Sequence, residues 1–254
     1  MDVPFITSSI IERARRIITE YEAERDHRQA AANALSFITS YLNQRDVAAR
    51  STDIPEPVQP DAQFWCMCAR VLLQMQDTSR PWWCMNMARN SSGYTPLLQG
   101  DFQRDVARMN IRARHFKDAE NALQNAEALS TGDRARTGAQ TTVKGHLAFG
   151  RKQYKKAAQL YRAAHVYWKR LAGKEAEQGA LDTAFHLIKA AIAHKGRRHA
   201  DEIDLRPFIA LVLKSDDTRR KAWVKAFLRY SAPAVWLYRQ SEHVAATLVR
   251  FQRY

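Results

Sequence analysis

Residues 144–168 read KGHLAFGRKQYKKAAQLYRAAHVYW, and the pattern of side chains in this stretch decides the fold. The same residue classes occur 38 residues earlier, in residues 107–129, which read ARMNIRARHFKDAENALQNAEAL. The matching positions are Gly145, Tyr154, Ala157, Tyr161 and Ala164 and, in the earlier copy, Ala107, Phe116, Ala119, Leu123 and Ala126. A sequence period of about 20 to 50 residues built from paired helices indicates a helical solenoid, an architecture that presents extended binding surfaces.

The small residues of the repeat predict closely packed helices. Ala157, Tyr161 and Ala164 are four and three residues apart, so they share one face of a helix. Alanine lets two helices approach closely, and the aromatic ring between the alanines fills the space that remains. Gly145 lies on the preceding segment, at a position where a larger side chain would hold the partner helix away. Each copy of the pattern therefore predicts one antiparallel helical hairpin.

Residues 100–171 resemble two tetratricopeptide repeats. That family has a small residue midway along its first helix, an aromatic residue near the turn, and an Ala–aromatic–Ala series along its second helix. Lys144 departs from the family pattern, which prefers leucine there. A weaker third copy contains Trp65, Ala69, Leu72, Met85 and Ala88, with Pro81 at an alanine position. The resemblance implies an all-α fold in which stacked antiparallel helix pairs form a right-handed α-solenoid; a generic bundle of alanine-rich αα-hairpins is the alternative.

The composition also favours an almost entirely helical protein. The 254 residues include only 9 glycines and 8 prolines, and few segments alternate valine, isoleucine and threonine. Residues 46–60, DVAARSTDIPEPVQP, contain three prolines and predict a linker. We therefore expect an N-terminal helix pair in residues 1–45 (a cap or a degenerate repeat), a linker at 46–60, tetratricopeptide-like repeats at 61–171, and a basic helical region at 172–254.

The sequence indicates a cytoplasmic location and no catalytic chemistry. The N-terminal MDVPFITSS has no secretory signal pattern, and no window approaches the roughly 18 apolar residues of a membrane span. Three cysteines, an odd and low count, favour a reducing compartment. Cys66 and Cys68 point in different directions on a predicted helix, so we expect core residues and not metal ligands. No common catalytic or nucleotide-binding motif occurs, and we expect no enzyme activity, no metal and no cofactor.

Positive charge is concentrated in the second half of the chain. Residues 1–127 contain 15 Lys+Arg and 16 Asp+Glu, whereas residues 128–254 contain 25 and 10, so the net charges are −1 and +15. A one-sided basic region suits an acidic protein surface or a nucleic acid. The leading hypothesis is a non-catalytic scaffold or adaptor that binds an acidic protein or peptide partner through a helical-repeat surface. The alternative is an RNA- or DNA-binding subunit of a larger complex.

Two sets of basic residues are candidate binding residues. The resemblance implies that polar side chains on the first helix of each pair line a concave face, which selects Arg108, Arg112, Lys144 and Arg151 as partner-binding residues. The candidates for nucleic-acid contact are Lys152, Lys155, Lys156, Arg197, Arg198, Arg219, Arg220 and Lys221, and Arg162, Lys169, Arg170 and Lys174 extend the basic run. Trp223 and Tyr230 lie among these cations, where helical periodicity favours a place in the core over stacking on bases.

Overall fold

The computed structural model describes residues 5–24, 26–51, 53–75, 77, 79–130, 132–195 and 204–230. In these ranges the chain forms eleven α-helices and no β-strand, which confirms the all-helical fold class. The helices are α1 (Ser8–Ala23), α2 (His27–Ala48), α3 (Ala62–Gln74), α4 (Arg80–Arg89), α5 (Pro96–Arg112), α6 (Phe116–Leu129), α7 (Arg134–Gly150), α8 (Tyr154–Lys169), α9 (Lys174–Lys195), α10 (Arg206–Leu213) and α11 (Thr218–Tyr230). The solenoid and its handedness stay predictions.

The chain divides into two compact units, residues 1–109 and residues 110–254. Helices that are adjacent in sequence pack against each other in both units, from α1 to α4 in the first and from α6 to α11 in the second. The division falls within α5, so the first of the two predicted hairpins spans both units. The domain boundaries that we expect from the sequence stay predictions.

The core of the first unit is a cluster of aromatic side chains from α2, α3 and α4. The ring centres are 4.7 Å apart for Phe37 and Phe64, 5.2 Å for Tyr41 and Trp65, and 5.4 Å for Trp65 and Trp83, all in edge-to-face geometry. The connection from α2 to α3 is also hydrogen-bonded to this unit. The Val58 backbone N–H donates to the carbonyl of Ile6 (3.1 Å), and the Gln44 amide donates to the carbonyl of Pro55 (3.0 Å).

The turn between α7 and α8 recurs 38 residues earlier, between α5 and α6. Lys152 and Arg114 both adopt a left-handed backbone conformation, with φ values of 61° and 63°. The equivalent backbone bonds are Lys152 N to Phe149 O (3.0 Å) and Gln153 N to Ala148 O (2.9 Å), and Arg114 N to Ile111 O (3.1 Å) and His115 N to Asn110 O (2.8 Å). This pair of bonds satisfies carbonyl groups at the end of the first helix, and the second helix follows at once. The sequence period is therefore also a period of the backbone.

Helices α7 and α8 are in close contact where Gly145 faces Tyr161. A Cβ atom built on Gly145 would lie 2.6 Å from Cε1 of the Tyr161 ring, which is only 1% exposed. Ala157 and Ala164, on the same face of α8, are fully buried. This confirms the interpretation of Gly145 as a residue kept small for its partner helix. A second contact of this kind, which the sequence analysis missed, sets Gly179 of α9 against the ring of Trp168.

Two histidines are packed against Tyr161 on its other sides. The ring centres of His146 and His186 are 4.5 Å apart, and they lie 5.5 Å and 5.4 Å from that of Tyr161. Burial lowers the pKa of His186 to about 4, and the positive charges of Lys189 and Arg220 act in the same direction. The interior of the second unit therefore contains an imidazole that stays neutral at physiological pH.

Replacement of Gly145 with alanine is expected to destabilise the second unit by about 1–3 kcal/mol, because overpacking against Tyr161 outweighs a gain in helix propensity of about 1 kcal/mol. Urea unfolding followed by circular dichroism measures the difference. In a Tyr161→Leu background, which has the side chain found 38 residues earlier, Gly145→Ala should be neutral or stabilising. Equal destabilisation in both backgrounds would show that the tyrosine ring does not limit the approach of the two helices.

Acidification from pH 7 to pH 5 is expected to cost the second unit about 2 kcal/mol of unfolding free energy. His186 accepts a proton near pH 6.5 in the unfolded chain but only near pH 4 in the folded chain. Its contribution to the free energy of unfolding is therefore complete above pH 6.5 and is lost as the pH falls towards 4. Urea unfolding across this pH range tests the effect. The variant His186→Phe, which keeps a ring but does not titrate, should lose most of the dependence of the unfolding free energy on pH. The same pH dependence in this variant would show that other groups cause it.

Candidate binding surfaces

An open cleft of about 300 Å³ lies in the first unit, and its walls come from α1, α3 and α5. The first two of these helices begin the pairs α1–α2 and α3–α4, and α5 is the next odd-numbered helix in the chain. The lining residues are Arg15 and Thr19 of α1, Gln63, Cys66, Met67 and Arg70 of α3, and Leu98, Asp101, Phe102 and Asp105 of α5. Their spacing of three or four residues means that each helix contributes one face. We call this site the first-helix cleft.

Charges of both signs line the first-helix cleft, with arginines on α1 and α3 and aspartates on α5. Each is oriented by an ion pair: Arg15 with Asp61 (2.8 Å), Arg70 with Glu22 (3.0 Å), Asp101 with Arg104 (2.8 Å), and Asp105 with Arg108 (2.9 Å). Because these pairs restrict the side-chain rotamers, the cleft presents its charges in a defined arrangement. This site is not among the sequence predictions, although the polar residues at helical spacing on α1 and α3 were a usable signal.

Cys66 is the one cysteine of the three that lines the first-helix cleft. Burial, together with the negative charge of Asp101, raises the pKa of its thiol to about 11. The thiol is therefore protonated at neutral pH and is a poor nucleophile. Cys68 and Cys84 are buried, as expected for core cysteines. Within the described ranges, no three His, Cys, Asp or Glu side chains come together in a group that could hold a metal ion.

The four residues predicted for partner binding are divided between the units. Arg108 belongs to the first unit and pairs with Asp105 (2.9 Å), whereas Arg112 is exposed at the end of α5. Lys144 forms an ion pair with Glu127 of α6. Arg151 pairs with Glu120 of α6 (2.7 Å) and donates a second hydrogen bond to the carbonyl of Phe116 (3.1 Å). Lys144 and Arg151 thus connect α7 to α6.

These ion pairs border a second cleft of about 310 Å³ between α6, α7 and α8. Its apolar lining includes Leu123, Leu147 and Leu160. The hydrogen bond from Arg151, followed by the charges of Arg151 and Lys156, lowers the pKa of the Glu120 carboxyl group. Lys144 and Arg151 therefore bridge α7 and α6 at the border of the second cleft.

The residues predicted for nucleic-acid contact have different environments. Lys152, Lys155 and Lys156 are exposed on the turn and the first turn of α8, and Arg219 is exposed on α11. Arg197 and Arg198 lie outside the described residues. Lys221 is half-buried and makes a side-chain interaction within the fold.

Arg220 is largely buried, with 15% of its side chain exposed. It pairs with Asp182 of α9 and with Asp217 (3.3 Å), and its guanidinium lies 5.8 Å from the centre of the Phe185 ring. Trp223 packs on the same ring at 5.3 Å, which confirms its predicted place in the core; the Tyr230 side chain lies outside the described set. These contacts attach α11 to α9, and Arg219 is the one predicted cation of α11 that is fully exposed.

One stretch of the second unit contains no acidic residue. From residue 134 to residue 174 the eleven charged side chains are all basic: Arg134, Arg136, Lys144, Arg151, Lys152, Lys155, Lys156, Arg162, Lys169, Arg170 and Lys174. Arg136, Lys144 and Arg151 pair with acidic residues on the N-terminal side of this stretch. The cations of α8 and its flanking turns are exposed. All the exposed charged side chains of α8 are therefore basic.

No helix in the described ranges is both long enough and apolar enough to cross a lipid bilayer. No protein-family model, no curated protein and no solved structure matches this chain. The resemblance to tetratricopeptide repeats therefore depends on the residues quoted above and stays a prediction.

Proposed function

We propose that this chain is a non-catalytic adaptor that holds a segment of a protein partner in the first-helix cleft. The observation that supports this function is that α1, α3 and α5 each present one face to the same open cleft. Helical-repeat proteins bind their partners on extended surfaces of this kind, to which successive equivalent helices contribute. The family that residues 100–171 resemble also binds through its first helices, although the residues selected from that resemblance, Arg108, Arg112, Lys144 and Arg151, do not line this cleft.

The chemistry of the lining specifies the kind of segment that fits. Arg15 and Arg70 have more N–H donors than their ion pairs use, and these donors suit a carboxylate. Asp105 accepts from Arg108 through one of its two oxygens, and its second oxygen suits a basic side chain. Met67 and Leu98 provide apolar contact between the two charged walls. We therefore expect a short segment that contains acidic, apolar and basic side chains. We expect the remaining surface of the partner to be acidic, because residues 128–254 have a net charge of +15.

The state of the titratable groups supports binding over catalysis. The four charged residues of the cleft are engaged in ion pairs, and the Cys66 thiol has a pKa of about 11. A thiol with this pKa is a poor nucleophile near neutral pH. All three cysteines have free thiols, which supports a reducing compartment such as the cytoplasm.

Peptides selected against the full chain from a random-sequence display library are expected to have acidic, apolar and basic side chains together. Their affinity, measured by calorimetry, should fall at least tenfold for Thr19→Trp, because the indole fills the cleft, and for Asp105→Asn, because a charge is removed from its wall. Thr39→Trp and Asp46→Asn make the same changes at exposed positions of α2 and should bind normally. Selected peptides that bind Thr19→Trp as tightly as the parent chain, or a selection without binders, would contradict the proposal.

A further inference from the structure

The exposed face of α8 contains a row of cations with a regular spacing. Lys155, Arg162 and Lys169 are seven residues apart, which is close to two turns of an α-helix, so they lie nearly in line. At a rise of about 1.5 Å per residue the row is about 21 Å long. All three side chains are exposed, and Lys156 and Arg170 flank the row. We call these three residues the α8 basic row.

The α8 basic row has no acidic residue in its own stretch of sequence. The helix lies within the stretch 134–174, which contains no aspartate or glutamate. Arg206 lowers the pKa of the Asp204 carboxyl group, and the positive charge of Arg162 makes a smaller contribution in the same direction. Arg206 already binds that carboxylate through a charge-assisted hydrogen bond of 2.8 Å. Arg162 also lies 5.8 Å from the centre of the Phe208 ring.

The surface between these cations lacks the anchors of a protein–protein interface. Protein interfaces derive most of their affinity from buried aromatic and other large side chains at their centre. Tyr161 and Trp168 of α8 are buried in the second unit, and the exposed residues between the cations are Gln159, Ala163 and Val166. Alanine and valine rarely anchor protein interfaces, so this regular row of cations matches a ligand whose anionic groups are also regularly spaced.

We propose that the α8 basic row binds the phosphate backbone of a nucleic acid. This inference goes beyond the proposed adaptor function and uses a surface of the other unit. Along one strand of a B-form duplex, a row of about 21 Å corresponds to about six nucleotides. Because Tyr161 and Trp168 are buried and no aromatic residue belongs to the row, the row contacts phosphates and does not stack on bases, so binding is independent of sequence. Arg220 and Trp223, which are packed against α9, take no part.

The test is a fluorescence-anisotropy titration of the full chain with a labelled 24-nucleotide single-stranded RNA and a 24-base-pair DNA duplex, each of scrambled sequence. The parent chain should bind at least one of them at 50 mM salt, and its affinity should fall steeply by 200 mM salt. The variant Lys155→Gln/Arg162→Gln/Lys169→Gln should lose at least tenfold in affinity at 50 mM salt. With the duplex, the slope of log K against log salt should be less steep for this variant than for the parent chain by about 2 to 3, because each lost phosphate contact removes about 0.9.

The matched control is Arg13→Gln/Arg16→Gln/Arg28→Gln, which removes the same charge from exposed positions of the first unit. It should keep its affinity within about threefold. Circular dichroism confirms folding, and if the triple variant unfolds, Lys155→Gln and Lys169→Gln alone should each lower the slope by about 0.9. Absence of binding by the parent chain, equal losses in both triple variants, or displacement by poly-glutamate at the same charge concentration would overturn the proposal. Thr19→Trp should bind nucleic acid normally, which separates this surface from the first-helix cleft.

Discussion

The approach of α7 to α8 at Gly145 is the constraint on which the second unit depends. The glycine leaves room for the Tyr161 ring, and the ring in turn packs against His146 and His186. With Tyr161 and Trp168 turned inward, the aromatic half of α8 is used for packing, and its basic half faces solvent. The binding surface that we propose on α8 thus follows from the burial of the opposite face. When a helix buries its apolar face, its polar face is exposed to solvent.

The lysine and arginine side chains of the second unit have two different roles. Lys144, Arg151 and Arg220 form ion pairs that hold neighbouring helices together. The cations of α8 have no acidic residue within their own stretch of sequence and lie exposed on its outer face. The net charge of +15 for residues 128–254 already subtracts Asp182 and Asp217, the partners of Arg220, but it does not count Glu127 and Glu120, the partners of Lys144 and Arg151. Charge that is already neutralised by a carboxylate contributes little to the field that an approaching anion meets.

The two proposed surfaces differ in the chemistry that they recognise. The first-helix cleft combines both signs of charge with apolar side chains, a combination that suits a peptide. The α8 basic row has charge of one sign, and the exposed apolar side chains beside it are the small residues Ala163 and Val166; this composition suits a uniform polyanion. Recognition at the cleft should depend on sequence, whereas binding at the row should depend on salt concentration. The two functions therefore predict different experimental signatures, and each surface belongs to its own unit of the chain.

The sequence by itself determined the helical fold class, the 38-residue period and the need for a small residue at Gly145. These features follow from local spacing, because residues three, four and seven apart share a helix face wherever the helix lies. Only the tertiary structure decided that α1, α3 and α5 face one cleft and that Lys144 and Arg151 pair with α6. Those contacts join residues that are far apart in the chain. Their formation depends on the packing of whole helices, which the periodicity of a single helix does not specify.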